Sequence, residues 1–172
     1  MTTNALQSSE FDPFYGRYIH TLDADLNLRD GFELGKKEVL SFFRNIPEHK
    51  HSFRYAPEKW SIKEILQHLI DAERVFLYRC FRIARMDRTP LAGFDQDSYI
   101  EPSGADHKTM DALLYEYEIN RNNSIALLNS LTDAHLAFVG NSNGSPMSAR
   151  AAAFSVIGHE ICHMEVIKEK YL

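Results

Sequence analysis

The sequence predicts an all-α fold, a four-helix bundle, and three observations carry that prediction. Four stretches repeat apolar residues at a helical period. Clusters rich in Pro, Gly, Asn and Ser separate them. No segment shows the sustained alternation of a half-buried strand. At 172 residues the chain fits one domain, residues 1–172, large enough for a core without staples.

Residues 1–10 are polar and read as frayed, and residues 1–26 as an N-terminal extension packed on the bundle. The aromatic run from Phe11 to Ile19 contains Pro13 and Gly16, which suits a segment lying over other elements better than a long helix. Leu28 to Ile46 gives the first long helix, with Leu28, Phe32, Leu34, Val39, Leu40, Phe42, Phe43 and Ile46 at its apolar positions and Pro47 as its stop. Pro47 to Lys59 is a polar connection, and His49 and His51 within it read as solvated.

The second long helix opens at Ser61, where Glu64 completes a capping box, and runs to about Arg85. It is the cleanest amphipathic segment of the chain. Asp87 to Gly104 holds two prolines and two glycines and reads as a long loop, with Phe94 and Tyr99 to bury. Thr109 caps the third helix, which carries Leu113, Leu114, Tyr117, Ile125, Leu127, Leu128 and Leu131 to its end at Thr132-Asp133. Asn141 to Pro146 is a turn; Asn143-Gly144 suits a hairpin, but the flanks are short and weakly β-like. Ser148 caps a fourth helix that reaches Tyr171.

The charge balance bears on function. A net charge of −5 with no basic stripe gives nucleic-acid binding no electrostatic support. No apolar run approaches the ~20 residues that span a bilayer, and Met1 to Glu10 lacks the pattern of a signal peptide. Cys80 and Cys162 form no disulfide framework. The expectation is a soluble, cytoplasmic protein.

The chemistry concentrates in Gly158-His159-Glu160-Ile161-Cys162-His163. His159 and His163, four apart on a helix, share a face and can reach one ion. The run also spells the H-E-x-x-H of zinc proteases, in which Glu160 would be the general base. Those enzymes take a third ligand downstream, and only nine residues follow His163, with no Gly-x-x-His among them. Glu160 also projects about 100° round the helix from His159. The protease reading is therefore disfavoured. For a third ligand the best candidate is His68, at the edge of the second helix's apolar stripe, where it either bonds a neighbour or meets two other rings along a helix seam. His20 and His135 read as structural or solvated. Arg74, Arg79, Arg82, Arg85 and Arg88 form a basic run along the second helix that reads as a solvated, ion-paired flank, or as a binding cluster for an anionic cosubstrate. Asp71 and Glu64 lie one turn either side of His68 and could orient its ring.

Several segments together resemble one family. WSIKEILQHLIDAER, from Trp60 to Arg74, is similar to the second-helix signature of the DinB/YfiT-like family, as are Phe76 to Ile83 with Arg79 and the following Leu91 to Asp95 loop. Arg121 with its leucines resembles that family's third helix, and Gly158 to His163 its C-terminal metal motif. The likeness spans residues 28–172. It implies an up-down-down-up four-helix bundle with a long crossover loop and a divalent metal on three histidines, here His68, His159 and His163. It also implies a homodimer, a small-molecule substrate, and either metal-dependent hydrolysis or transfer of a low-molecular-weight thiol cosubstrate. Imidazole ligands suit zinc and nickel first, with copper and iron open. The sequence assigns no general acid or base. The alternative is a non-catalytic bundle that the metal clamps, acting as a stress-related binding module; a fourth protein ligand, or the lack of a cavity beside the ion, would favour it.

Overall fold

A computed structural model describes residues 1–172. Seven helices and one hairpin follow in order: α1 (Pro13–Ile19), α2 (Leu28–Arg44), α3 (Ile62–Ala84), α4 (Asp97–Ser103), α5 (Met110–Asn129), α6 (Asp133–Ala137), β1 (Val139–Ser142), β2 (Ser145–Ser148) and α7 (Ala149–Lys170). The four long ones are the four that the periodicity predicts, and their ends follow local chemistry. Asn27, Ser61, Thr109 and Ser148 each accept a backbone N–H of the helix they precede, and the Ser61/Glu64 capping box is closed in both directions.

The long helices close a ring in the order α2, α5, α3, α7, each packed on two neighbours. Helices α2 and α3, consecutive in sequence, thus lie across the bundle rather than side by side, unlike a simple up-and-down bundle. Two apolar clusters fill the interior. One holds Leu28, Phe32, Phe76, Ile83, Leu128 and Phe154; the other holds Val39, Phe43, Ile65, Leu69, Leu113 and Ile167. Between them, at mid-height, lies a belt of buried polar side chains that includes Glu73, Arg121, Ser124, His159 and Glu160. No helix is long and apolar enough to cross a membrane.

Four expectations are corrected. Residues 1–10 are not frayed: Thr3 and Asn4 donate to the carbonyls of Leu26 and Ala24, Leu28 donates to Met1, and Glu10 pairs with Arg150. The segment from Asp87 to Gly104 is not wholly a loop, because it contains α4, which holds Pro102 in its last turn and ends at Gly104 in the left-handed region at φ 61°. Residues 139–148 form an antiparallel hairpin with Ser142 opposite Ser145. Its turn is Asn143 at φ 54° and Gly144 at φ 81°, the paired positive angles of the tight hairpin turn that Asn-Gly favours. The strands are four residues each, too short for alternation to register in the sequence. The third helix also ends at Asn129, and Thr132 caps α6 rather than closing it.

Candidate metal centre

Position 68 on α3 and positions 159 and 163 on α7 face one another because α3 and α7 pack along most of their length. The Nε2 atom of His159 lies 3.0 Å from that of His68 and 3.0 Å from that of His163. One ligand atom from each of the three lies within 4.8 Å of the other two, and no Asp, Glu or Cys joins the group. His68 and His159 are buried and His163 is half-buried. Aromatic neighbours fix the rings: Trp60 packs on His68 at 4.7 Å and stacks on His163, and Tyr18 meets His159 edge-on at 5.1 Å.

Gly158 makes that last contact possible. A Cβ there would stand 2.1 Å from the backbone oxygen of Tyr18, so α1 can lie on α7 only because residue 158 has no side chain.

Burial sets the charge of the three rings. It pushes the imidazole of His68 down to about 3 and that of His163 to about 4, and it holds His159 well below its ordinary range. The fold thus keeps all three neutral at pH 7, which is the form that donates a lone pair to a metal. The spacing fits as well: an ion about 2.0–2.1 Å from two imidazole nitrogens in a tetrahedral arrangement sets them about 3.3 Å apart. The donor set and its convergence suit a divalent ion held by three protein ligands.

The other residues singled out in the sequence go elsewhere. Glu160 turns to the opposite side of α7, where it is buried against Arg121 and accepts from the hydroxyl of Tyr117 at 2.8 Å. Burial pushes its carboxyl above the usual carboxylate range, against the pull of Arg121. It does not reach the imidazoles as a protease base would. Glu64 caps α3 and pairs with Arg54, and Asp71 accepts from Gln67 and Arg74, so neither orients His68. His20 is exposed, His51 contacts the carbonyl of Ile46, and His135 closes the cap of α6. Cys162 points to the backbone of Arg17 and takes no part in the cluster. Of the five arginines in the basic run, Arg74 and Arg82 pair with carboxylates at the surface, and Arg85 and Arg88 are exposed. Arg79 departs from that flank and is 2% exposed.

A cavity of about 390 Å³ opens beside the histidines, with His159 in its wall. The turn of α1, the face of α3, the loop after α3 and the hairpin turn enclose it, contributing Tyr15, Tyr18, Phe76, Arg79, Phe94 and Asn143. Backbone bonds from Leu91 to Asn141 and from Asn143 to Leu91 tie the loop to the hairpin, and Ser145 donates to Asp12 to tie the hairpin to α1. Of this wall the sequence offers the loop from Asp87 to Gly104, expected to line the opening, and Phe94 does so. The rest was missed because its parts are far apart in the chain; the Asn143-Gly144 pair and the aromatic Phe11 to Ile19 run are its sequence signals.

The DinB superfamily family model matches residues 32–167. The solved structure of YfiT from Bacillus subtilis, described as a probable metal-dependent hydrolase with an unusual four-helix bundle topology, aligns with a TM-score of 0.69 at 18% identity, over 82% of this chain and 84% of that one. At that identity the likeness establishes a shared fold. None of the curated proteins matches the sequence.

Proposed function

The chain belongs to the DinB superfamily, and from that membership and the geometry of its buried histidines we propose that it is a metal-dependent enzyme acting on a small molecule. One observation carries the reading. Three neutral imidazoles converge with no fourth protein ligand, and a cavity opens against one of them. A structural metal clamp is closed by a fourth protein ligand; a catalytic one leaves a position open.

In this reading His68, His159 and His163 hold a divalent ion, zinc or nickel. When bound, it supplies positive charge that lowers the pKa of a water or thiol beside it and polarises an electrophile. The chain's own residues set the conditions. Three neutral ligands leave the charge of the ion uncancelled, whereas a carboxylate or thiolate in the set would reduce it. Trp60 and Tyr18 pack on the imidazoles and hold them in place without offering a competing donor. Tyr15, Phe76 and Phe94 give the cavity an aromatic wall that displaces water from around a ligand. Water as the activated group makes the protein a hydrolase, and a low-molecular-weight thiol makes it an S-transferase. The YfiT description supports the first of these.

The test is metal content per chain in untagged protein purified without added metal, beside His68→Ala and His159→Ala. A near-stoichiometric ion lost in both variants supports the site, and hydrolysis and thiol-transfer screens of the loaded protein then separate the two activities. Wild-type protein that neither carries nor takes up a transition metal at micromolar concentration overturns it. A bound ion with no turnover in either screen returns the reading to a metal-clamped binding module.

A further inference from the structure

Arg79 is a buried cation without an anion. Its guanidinium carries five N–H donors. One Nη donates to the hydroxyl of Tyr15 at 3.2 Å, the other to the carbonyl of Ala92 at 3.1 Å, and the Nε–H has no partner. No salt bridge reaches it, although the residue is 2% exposed and lines the cavity beside His159. A charge taken out of water is costly unless an opposite charge meets it. The two acids on the same cavity are engaged locally: Asp12 accepts from the N–H of Phe14 and the hydroxyl of Ser145, and Asp95 accepts from the N–H of Asp97. Phe76 and Phe94 lie 5.5 and 5.6 Å from the guanidinium and form an apolar surround.

We propose that Arg79 is the anchor for a carboxylate on the small molecule that fills this cavity, the rest of that molecule lying along Phe76 and Tyr15 toward His159. The inference deepens the metal-dependent reading and rests on it for the orientation of the ligand. It also sets a size. Helix α3 rises about 1.5 Å per residue, so His68 and Arg79 have Cα atoms about 16 Å apart along its axis. A ligand engaging both ends has a body of several carbons between its acid and its reacting atom. The guanidinium fork suits a carboxylate, and the low-dielectric surround strengthens that contact.

The probes are 4-phenylbutyrate, its amide 4-phenylbutanamide, and N-acetyl-S-methylcysteine, a carboxylate on a blocked thiol. Each is titrated calorimetrically into the purified protein, as isolated and after stripping of metal with a chelator. At least one acid should bind both forms, and Arg79→Gln should weaken it by about tenfold to a hundredfold while leaving the amide unchanged. An acid preferred in the phenyl series assigns the anchored group to the substrate, and one preferred in the cysteine series assigns it to a thiol cosubstrate. Should Arg79→Gln fail to fold, Arg79→Lys replaces it: the charge stays, the fork is lost, and the acid should weaken by about threefold to tenfold. Three outcomes overturn the proposal. They are wild-type protein that binds neither acid, wild-type protein that binds the phenyl acid no tighter than its amide with no binding of the cysteine acid, and an acid held only by the unstripped form with no dependence on Arg79. Metal uptake without Arg79-dependent acid binding defeats the anchor alone. Arg79-dependent acid binding without metal uptake defeats the metalloenzyme reading and leaves the anchor standing.

Discussion

Arg121 and Arg79 are both buried guanidiniums on long helices of one bundle, the first with two carboxylates against it and the second with none. Arg121 forks onto Glu73 at 2.8 and 3.1 Å, meets Glu160, and leans toward the carbonyl of Phe32. Ser124 and Tyr117 donate to the same two acids. Gly35 leaves room for this: a Cβ there would lie 3.1 Å from an Arg121 Nη and 3.3 Å from Glu160. That half of the polar belt draws on α2, α3, α5 and α7 and pairs its charges internally, with one Glu160 oxygen, Oε2, left without a partner. The other half, with the three imidazoles and Arg79, has donors and lone pairs left over and a cavity at its side. His159 and Glu160 are neighbours in the chain and face these opposite halves. A charge-paired cluster fixes the packing of the four helices, and one with an unpaired charge keeps its capacity for a ligand.

The largest break in that comparison is Arg121→Met. It strands Glu73 and Glu160 as buried acids without a cation, and breaking a buried pair this way costs about 3–5 kcal/mol. Arg79→Met strands no carboxylate and should cost less than about 2 kcal/mol. Urea unfolding of both variants measures the difference. Equal costs would mean that the two arginines are not built to different rules.

Acid titration of the metal-free protein probes the open half. The folded-state values of His68 and His163, about 3 and about 4, lie below the ~6.5 of an unfolded chain, and His159 shifts the same way. Between those limits the unfolded chain binds more protons than the folded one. This contribution to stability is therefore fully present above pH ~6.5 and is lost as the pH falls toward 4, by a few kcal/mol in sum. Denaturant midpoints measured from pH 7 to pH 4 should drop, and His68→Ala should flatten the slope. An unchanged slope in that variant would place the acid sensitivity elsewhere.

Gly158→Ala sharpens the comparison from the side of α1. Alanine favours the helix locally, but its Cβ meets a backbone oxygen that no rotamer change can move. Helix α1 must lift, for a net cost of about 1–3 kcal/mol. Since α1 carries Tyr15 and Tyr18, the variant should also disturb the cavity while leaving the Arg121 cluster intact. Tryptic cleavage after Arg17, faster in the variant, reports the lifted helix.

The parts of this arrangement legible in the sequence are those written locally. Ser61 with Glu64, Thr109 and Ser148 announce helix starts because a cap needs only a neighbouring backbone N–H. His159 and His163 announce a shared face because the helical period puts them there. His68 shows only as a histidine at the edge of an apolar stripe, the best third candidate, and the family resemblance strengthens that reading, since its nearest partner, His159, lies 91 residues away. The pairing of α3 with α7, the hairpin that walls the cavity and the two fates of Arg79 and Arg121 depend on which helices touch. Nothing in a run of arginines says which one turns inward. Arg79 reads as part of a solvated flank because it lies in one run with Arg82 along α3, and the difference comes from Tyr15 of α1 and the loop through Ala92, which close over it.

The smallest change in stability should come from His163→Ala, and for that reason it separates the two halves best. The ring is half-buried at the edge of the site, with Trp60 stacked beyond it, so its removal opens no sealed cavity. It also removes an imidazole that folding holds away from water. Loss of packing and relief of that burden oppose each other, and the net cost should stay within about 1 kcal/mol. Metal binding should respond very differently. Changes to groups that merely orient a ligand lower metal affinity by about tenfold to a hundredfold, and loss of one of three ligands should exceed that. Equilibrium dialysis against zinc, read beside the urea midpoint, gives both quantities on one preparation. Glu160→Gln is the control from the adjacent residue, because it weakens the Arg121 cluster and leaves the three nitrogens in place, so its zinc affinity should match wild type. If His163→Ala holds zinc as wild type does, the ion is not bound by these three rings. If Glu160→Gln loses zinc while folded, the two halves of the belt are one site and the division between them fails.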